Sequence, residues 1–239
     1  MRSEICNLKV YCKRLGGGMV YADVSKTSGR KAVGVRLSPQ APKMSYYRKQ
    51  PLNSDKKLQA YIIGIALGDG NLSNPNKRAV RLRITCDKRY PLLIKHIKYC
   101  LSLLLQKNKV STTNRKGCVD ISVYSNHWKK LLWKWDKGPK DAQNVSVPKW
   151  IRKNRIYAKE ALRGLLQTDG SIYQDRNYTM INFVSTNLAL SNDVSAMIKN
   201  LRYQPNTQQF KQKNNKIKYT IRIAKDSEKF IKEINFWKK

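Results

Sequence analysis

The chain has 239 residues and a mass of 27.7 kDa, with enough apolar and aromatic side chains to build a core, so it is not a disordered basic tail. Its 49 Lys and Arg against 15 Asp and Glu give a formal net charge of +34, which points to a dense polyanion as partner. No apolar run approaches the ~18 residues of a membrane span, and the opening MRSEICNLKVYCKRLGGG lacks the apolar stretch of a secretory signal, so the sequence reads as an intracellular, non-secreted protein.

Residues 1–57 are basic and carry three short alternating runs, around residues 8–12, 19–24 and 32–37, with Gly16, Gly17 and Gly18 between the first two. They are expected to form a small β-rich extension, too short to hold a large core alone. Residues 58–70 read LQAYIIGIALGDG, an apolar helix ending in Asp-Gly. After it, Val80, Leu82 and Ile84 alternate with Arg81, Arg83 and Thr85 as a half-buried strand. Residues 90–105 have helical periodicity, with Pro91 suited to the first turn. Val119, Ile121 and Val123 alternate again, and residues 127–135 read as a short amphipathic helix.

Residues 138–150, GPKDAQNVSVPKW, have the composition of a linker. Residues 161–170, ALRGLLQTDG, then repeat the first motif at an offset of 100: Gly64 with Gly164, Asp69 with Asp169, Gly70 with Gly170. The downstream order repeats too. Residues 180–184 read as strand and 188–201 as helix. Residues 208–213 and 217–223 pair around Asn214-Asn215, and 230–237 form a last helix. The expected domains are therefore the extension 1–57, a first unit 58–142 and a second unit 143–239.

Five cysteines, Cys6, Cys12, Cys86, Cys100 and Cys118, include no C-x-x-C and suit free thiols in a reducing compartment. The histidines, His96 and His127, lie in helical patterns without a neighbouring acid and read as structural. Phosphodiester chemistry here would proceed without histidine.

Each motif can be read as half of a helix pair. Gly64 and Gly68 share one helical face, as do Gly164 and Thr168, and small residues at that spacing let two backbones approach closely. Gly70 and Gly170 suit the left-handed residue that ends a helix. Asp69 and Asp169 then sit at helix C-termini, where the macrodipole disfavours a carboxylate by ~0.3–1 kcal/mol. No cation of helical spacing is available within the motif. A divalent ion with oxygen ligands, Mg²⁺ above all, would resolve the conflict.

The motifs IIGIALGDG (residues 62–70) and LRGLLQTDG (residues 162–170) resemble the nine-residue signature of the LAGLIDADG homing endonucleases and related intron maturases. The resemblance spans residues 58–239 and is to the single-chain, two-motif form. It implies an α+β fold of two pseudo-symmetric αββαββα units, with paired motif helices and a saddle of antiparallel β-sheets over DNA. It also implies Asp69 and Asp169 as metal ligands, and Gly68 and Thr168 as backbone-carbonyl ligands. The sixth motif position is Leu67 and Gln167, not acidic.

The charge pattern agrees with a sheet that binds DNA. Arg81 and Arg83 on the first strand, and Lys218, Thr220 and Arg222 on the last, lie opposite the apolar faces of their strands. Gln208, Gln209, Lys211, Gln212 and Lys213 also have side chains that read base edges. The expected function is site-specific double-strand DNA cleavage at a long recognition site, as in intron homing, by a monomer using Mg²⁺ held by one Asp from each motif. The resemblance further implies a basic residue near an early hairpin end: Lys88 in the first unit, and Lys218 or Lys225 in the second. The alternatives are an intron RNA maturase and a non-cleaving DNA-binding regulator on the same scaffold.

Overall fold

A computed structural model describes residues 52–140, 142–212 and 215–238. Backbone contacts divide the chain into Met1–Arg48 and Lys49–Lys239, and all described residues belong to the second unit. The expected β-rich extension therefore lies outside the described residues up to position 51, as do Lys213 and Asn214.

The first half runs α1 (Lys56–Asp69), β1 (Gly70–Ser73), β2 (Arg81–Asp87), α2 (Pro91–Leu104), β3 (Ser111–Asn114), β4 (Cys118–Tyr124) and α3 (Trp128–Leu131). After a short helix α4 (Lys149–Arg152), the second half repeats it: α5 (Arg155–Asp169), β5 (Gly170–Asp175), β6 (Tyr178–Ser185), α6 (Leu188–Asn200), β7 (Asn206–Lys211), β8 (Ile217–Ile223) and α7 (Ser227–Ile234). Each half is one antiparallel four-stranded sheet, in the orders β1-β2-β4-β3 and β5-β6-β8-β7. The α+β fold with two αββαββα halves is thus present.

The two motif helices start the same way. The Asp55 carboxylate accepts from the Lys57 and Leu58 N–H groups, and the Asn154 side chain from those of Ile156 and Tyr157. From Gln59 to Gly68, α1 is buried on all sides, as expected of a helix at the centre of a fold. Its partner is α5. The two glycines make the approach possible reciprocally. A Cβ on Gly64 would strike the Ala161 carbonyl oxygen, and one on Gly164 would lie 2.5 Å from the Tyr61 oxygen and 2.8 Å from the Ile65 nitrogen. Across the seam the Tyr61 hydroxyl donates to Gln167 Oε1 at 2.7 Å.

Two apolar cores flank this pair. One gathers Ile62 and Ile65 with Leu82, Ile84, Ile121 and Trp128; the other gathers Leu162 and Leu165 with Phe183, Met197, Ile221 and Phe230. The linker is tied to α6: Asp193 accepts from the Val147 N–H at 2.8 Å and pairs with Arg152 at 2.7 Å, and Asn187 Nδ2 donates to the Val145 carbonyl at 2.8 Å.

Several expectations change. Gly70 and Gly170 are not left-handed: their φ values are −78° and −89°, in extended backbone. They open β1 and β5 directly, and glycine is needed because a Cβ would meet Ala66 Cα at 2.6 Å and Leu166 Cα at 2.7 Å. The helix expected over 127–135 is only Trp128–Leu131. Leu132 turns extended, and Leu132 and Trp133 pack against both cores instead. The last helix ends at Ile234, where Asn235 is left-handed at φ 52°, rather than running to residue 237. His96 is structural: its ring stands edge-on to Tyr61 and Trp237, with centroids at 5.4 and 5.5 Å. Cys86, Cys100 and Cys118 are free thiols.

Candidate functional site

Because α1 and α5 cross at their glycines, their C-terminal ends finish side by side. A Cβ on Gly68 would lie 2.7 Å from Thr168 Cβ and 3.2 Å from Asp169 Oδ2. Gly68, Asp69, Thr168 and Asp169 are therefore brought together. Asp69 is exposed at the mouth of a cleft but crowded by protein on its other sides; that burial raises its carboxyl above the usual range, against the pull of Lys140 and Lys238.

Those two lysines are cations that the motif itself does not contain. Lys140 Nζ donates to the Leu67 carbonyl at 2.8 Å and also to the Gly68 carbonyl. Lys238 Nζ donates to the Thr168 carbonyl at 2.8 Å and the Gly170 carbonyl at 3.2 Å. Each lysine thus answers the negative end of a motif helix and its unpaired carbonyls. Each is also steered by an aromatic ring, Lys140 by Trp133 at 6.0 Å and Lys238 by Tyr90 at 5.2 Å. Burial lowers the Lys238 ammonium pKa, opposed by Asp69, Asp169 and Asp87. Both lysines lie in tails that follow the last helix of their halves. The available signal was their spacing, 71 residues after Asp69 and 69 after Asp169.

Two clefts open at the helix ends. One is lined by Gly68, Asp169, Lys140, Thr186, Gln212 and Lys218. The other is lined by Asp69, Cys86, Asp87, Arg89, Thr168 and Lys238. Burial pushes the Cys86 thiol up to about 12, so it stays protonated and inert. Of the basic candidates, Lys218 lines the same cleft as Asp169. Lys88 is an exposed turn residue after β2, its N–H held by the Gly117 carbonyl at 3.1 Å, and its neighbours Asp87 and Arg89 line the second cleft. Lys225 is exposed in the turn before α7.

The strand register sorts the remaining candidates by face. Arg83 stands between Asn71 and Ser122, and Arg222 between Asn182 and Asn206. Both rows begin two residues beyond a motif acid, on the side away from the cores. Arg81, Lys218 and Thr220 share those faces, although Thr220 is covered by its neighbours. Gln209 and Lys211 pair with Tyr219 and Ile217, on the opposite face from Lys218 and Arg222. Gln208 and Phe210, paired with Thr220 and Lys218, take the positions beside them. The outer face of the first sheet also carries a buried acid, Asp120, which accepts from Thr85 Oγ1 at 2.8 Å and pairs with Arg115 at 2.7 Å.

The oxygens at the helix ends, two carboxylates and two main-chain carbonyls, are the hard donors that Mg²⁺-class ions take. Among the described residues no three His, Cys, Asp or Glu side chains converge. An ion here would draw the rest of its shell from water and phosphate, the usual habit of Mg²⁺. The donor set fits.

Residues 157–235 match the LAGLIDADG-like domain and residues 58–121 the WhiA LAGLIDADG-like domain. No curated protein sequence matches the chain. Among solved structures, the homing endonuclease I-DmoI in complex with DNA and Mn is similar at 22% identity and a TM-score of 0.56, over 75% of this chain and 96% of that one. The N-terminal LAGLIDADG domain of DUF199/WhiA is similar at 13% identity and a TM-score of 0.50, over 78% and 87%. Full-length DUF199/WhiA from Thermatoga maritima follows at 14% and 0.51, over 78% and 58%. At these identities the likeness to the solved structures is one of fold.

Proposed function

The chain belongs to the LAGLIDADG family in its two-motif form, and on that footing we propose that it is a metal-dependent endonuclease cutting both strands of a long DNA site. The observation that carries this reading is the convergence of Asp69, Asp169 and two lysines, Lys140 and Lys238, at adjoining helix ends. A protein that only bound DNA would gain from cations there and lose from two carboxylates, because the phosphates repel them.

Asp69 and Asp169, with the Gly68 and Thr168 carbonyls, would hold the divalent ions. Bound ions lower the pKa of water and stabilise the leaving oxygen. The protein's own contribution is positional. The acids stand at fixed helix ends, so the scissile phosphates would have to come to the C-terminal ends of α1 and α5. Lys140 and Lys238 point ammonium groups at the same place, where they would neutralise charge gathering on non-bridging oxygens. No imidazole takes part. Arg81, Arg83, Lys218 and Arg222 supply phosphate and base contacts on the outer sheet faces, with phosphate contacts giving most of the affinity.

The paired motif helices come from one chain, so the protein acts as a monomer. A second reading, a non-cleaving DNA-binding protein, is favoured by the WhiA-like match over residues 58–121 and by the ammonium groups already seated on the carbonyls. Selection of cut sites from a randomised duplex library, with Mg²⁺ and with EDTA, separates the two. Recovery of a discrete cut site only with Mg²⁺ supports the nuclease; enrichment of bound but uncut duplexes supports the binding protein.

A further inference from the structure

Gln167 occupies the sixth position of the second motif, in the last turn of α5, and is 1% exposed. A buried primary amide costs free energy unless both its ends are paired. Both are. Its Nε2 donates to the Trp237 main-chain carbonyl at 3.1 Å, and its Oε1 accepts from the Tyr61 hydroxyl at 2.7 Å. A carbonyl can only accept, so the NH₂ group must face Trp237, the amide oxygen must face Tyr61, and the phenol must donate. Burial raises the Tyr61 phenol above its ordinary value, which keeps that donor proton in place. One amide therefore ties α1, α5 and the C-terminal tail together in a single orientation.

The peptide group that Gln167 holds joins Trp237 to Lys238, whose Nζ donates to the Thr168 and Gly170 carbonyls at 2.8 and 3.2 Å. Phe236 is buried in the second core, whereas Trp237 packs against the first, its ring edge-on to His96 at 5.5 Å. The tail crosses from one half to the other within these two residues, and Gln167 grips it at the crossing. Gln167 and Lys238 line the same cleft as Asp69 and Thr168. The first half places its lysine differently. Leu67 stands at the matching motif position and has no amide. Lys140 instead follows a loop tied by Gln143, whose Nε2 donates to the Lys134 and Gly138 carbonyls at 2.7 and 2.8 Å.

We propose that Gln167, oriented by Tyr61, is a positioning residue: through the Trp237 carbonyl it sets the place of the Lys238 ammonium in the Asp69 cleft. This rests on the nuclease reading, in which that ammonium faces a scissile phosphate, and deepens it. Misplacing a reacting or charge-stabilising group by about an ångström can cost on the order of a hundredfold in rate. A buried amide thus controls cleavage through the lysine it places.

Two measurements on the full chain test this together: single-turnover cleavage of a selected duplex, and fluorine NMR after labelling with 5-fluorotryptophan, the Trp237 resonance being assigned with Trp237→Phe. Gln167→Leu copies the first motif. It should shift the Trp237 resonance while that of Trp150 holds, slow cleavage at least tenfold and leave duplex affinity within a few-fold. Adding Lys238→Met to Gln167→Leu should slow cutting no further, because both changes remove the same ammonium; a residue that served only the helix seam would give additive losses. Tyr61→Phe should shift the same resonance and slow cleavage several-fold, since the amide loses the partner that orients it. Circular dichroism melts establish that each variant is folded, and Tyr61→Phe, which removes a single oxygen, decides the matter if Gln167→Leu does not fold. An unmoved Trp237 resonance, a wild-type cleavage rate, or additive losses in the double variant overturns the positioning role while leaving the nuclease intact. No cleavage by the wild type on any selected duplex overturns the nuclease reading and this proposal with it, whatever the Trp237 resonance does.

Discussion

Changing Gly164 to alanine inserts one methyl group into the seam between α1 and α5. Its Cβ would fall 2.5 Å from the Tyr61 oxygen, 2.8 Å from the Ile65 nitrogen and 3.2 Å from the Gly64 carbonyl carbon. All three are backbone atoms, so no side-chain rotation relieves the contact. The helix axes must separate by nearly an ångström, and a gap of that size forfeits a quarter to a half of each dispersion contact along the seam. Overpacking typically costs ~1–3 kcal/mol, and contacts with backbone atoms that no rotamer relieves belong in its upper part, ~2–3 kcal/mol; better helix propensity returns ~1 kcal/mol. The net loss should be ~1–2 kcal/mol. For a unit of this size it lowers the melting midpoint by about 2–8 °C. Gly164→Leu should lower it further. Calorimetry on both variants measures the effect, with Lys95→Ala on the exposed side of α2 as a control expected within ~0.5 kcal/mol of wild type. An unchanged or raised midpoint for Gly164→Ala would show that the helices do not meet at these glycines.

Lys140→Met and Lys238→Met should each slow cleavage at least tenfold while leaving duplex affinity within a few-fold, measured by single-turnover cutting and filter binding on a selected site. Arg83→Ala and Arg222→Ala should lower the salt slope of binding by about one unit each if they contact phosphate, or relax one base position if they read bases. Gln209→Ala and Lys211→Ala, on the other face, should change neither, as titrations at several salt concentrations would reveal. Lys159, Tyr203 and Arg155 hold the Glu233 carboxyl down at about 2, from an ordinary 4.5. Its contribution should be fully present above pH 4.5 and lost as pH falls through 2, so Glu233→Gln should be less stable by ~1 kcal/mol at pH 7 and match wild type near pH 2 in urea melts.

The parts legible in the sequence were those with a strong period or an exact repeat. The 100-residue offset of the motifs located both central helices, and the alternation around Leu82 and Ile221 located the inner strands. Strands β1, β3 and β5 escaped because GNLS, STTN and GSIYQD are short and mostly polar; pairing with the inner strands, not their own pattern, makes them strands. Asp-Gly suggested a left-handed helix stop, whereas the glycines are there for close packing over Ala66 and Leu166. Lys140 and Lys238 carry no local signal. Each arrives from a tail whose path depends on tertiary packing, Trp133 against both cores and Trp237 against His96. A pattern read along one segment cannot find a side chain placed by two others.

Double-strand cleavage by wild type, Asp69→Asn and Asp169→Asn, on a site recovered from the library and with Mg²⁺ present, bears most directly on the central claim. Wild type should linearise a plasmid carrying the site. Each single variant should lose linear product by at least a hundredfold while binding the site with near-normal affinity. Wild-type linear product in either variant, or none from wild type on a duplex that it binds tightly, would contradict a nuclease built on the two motif acids.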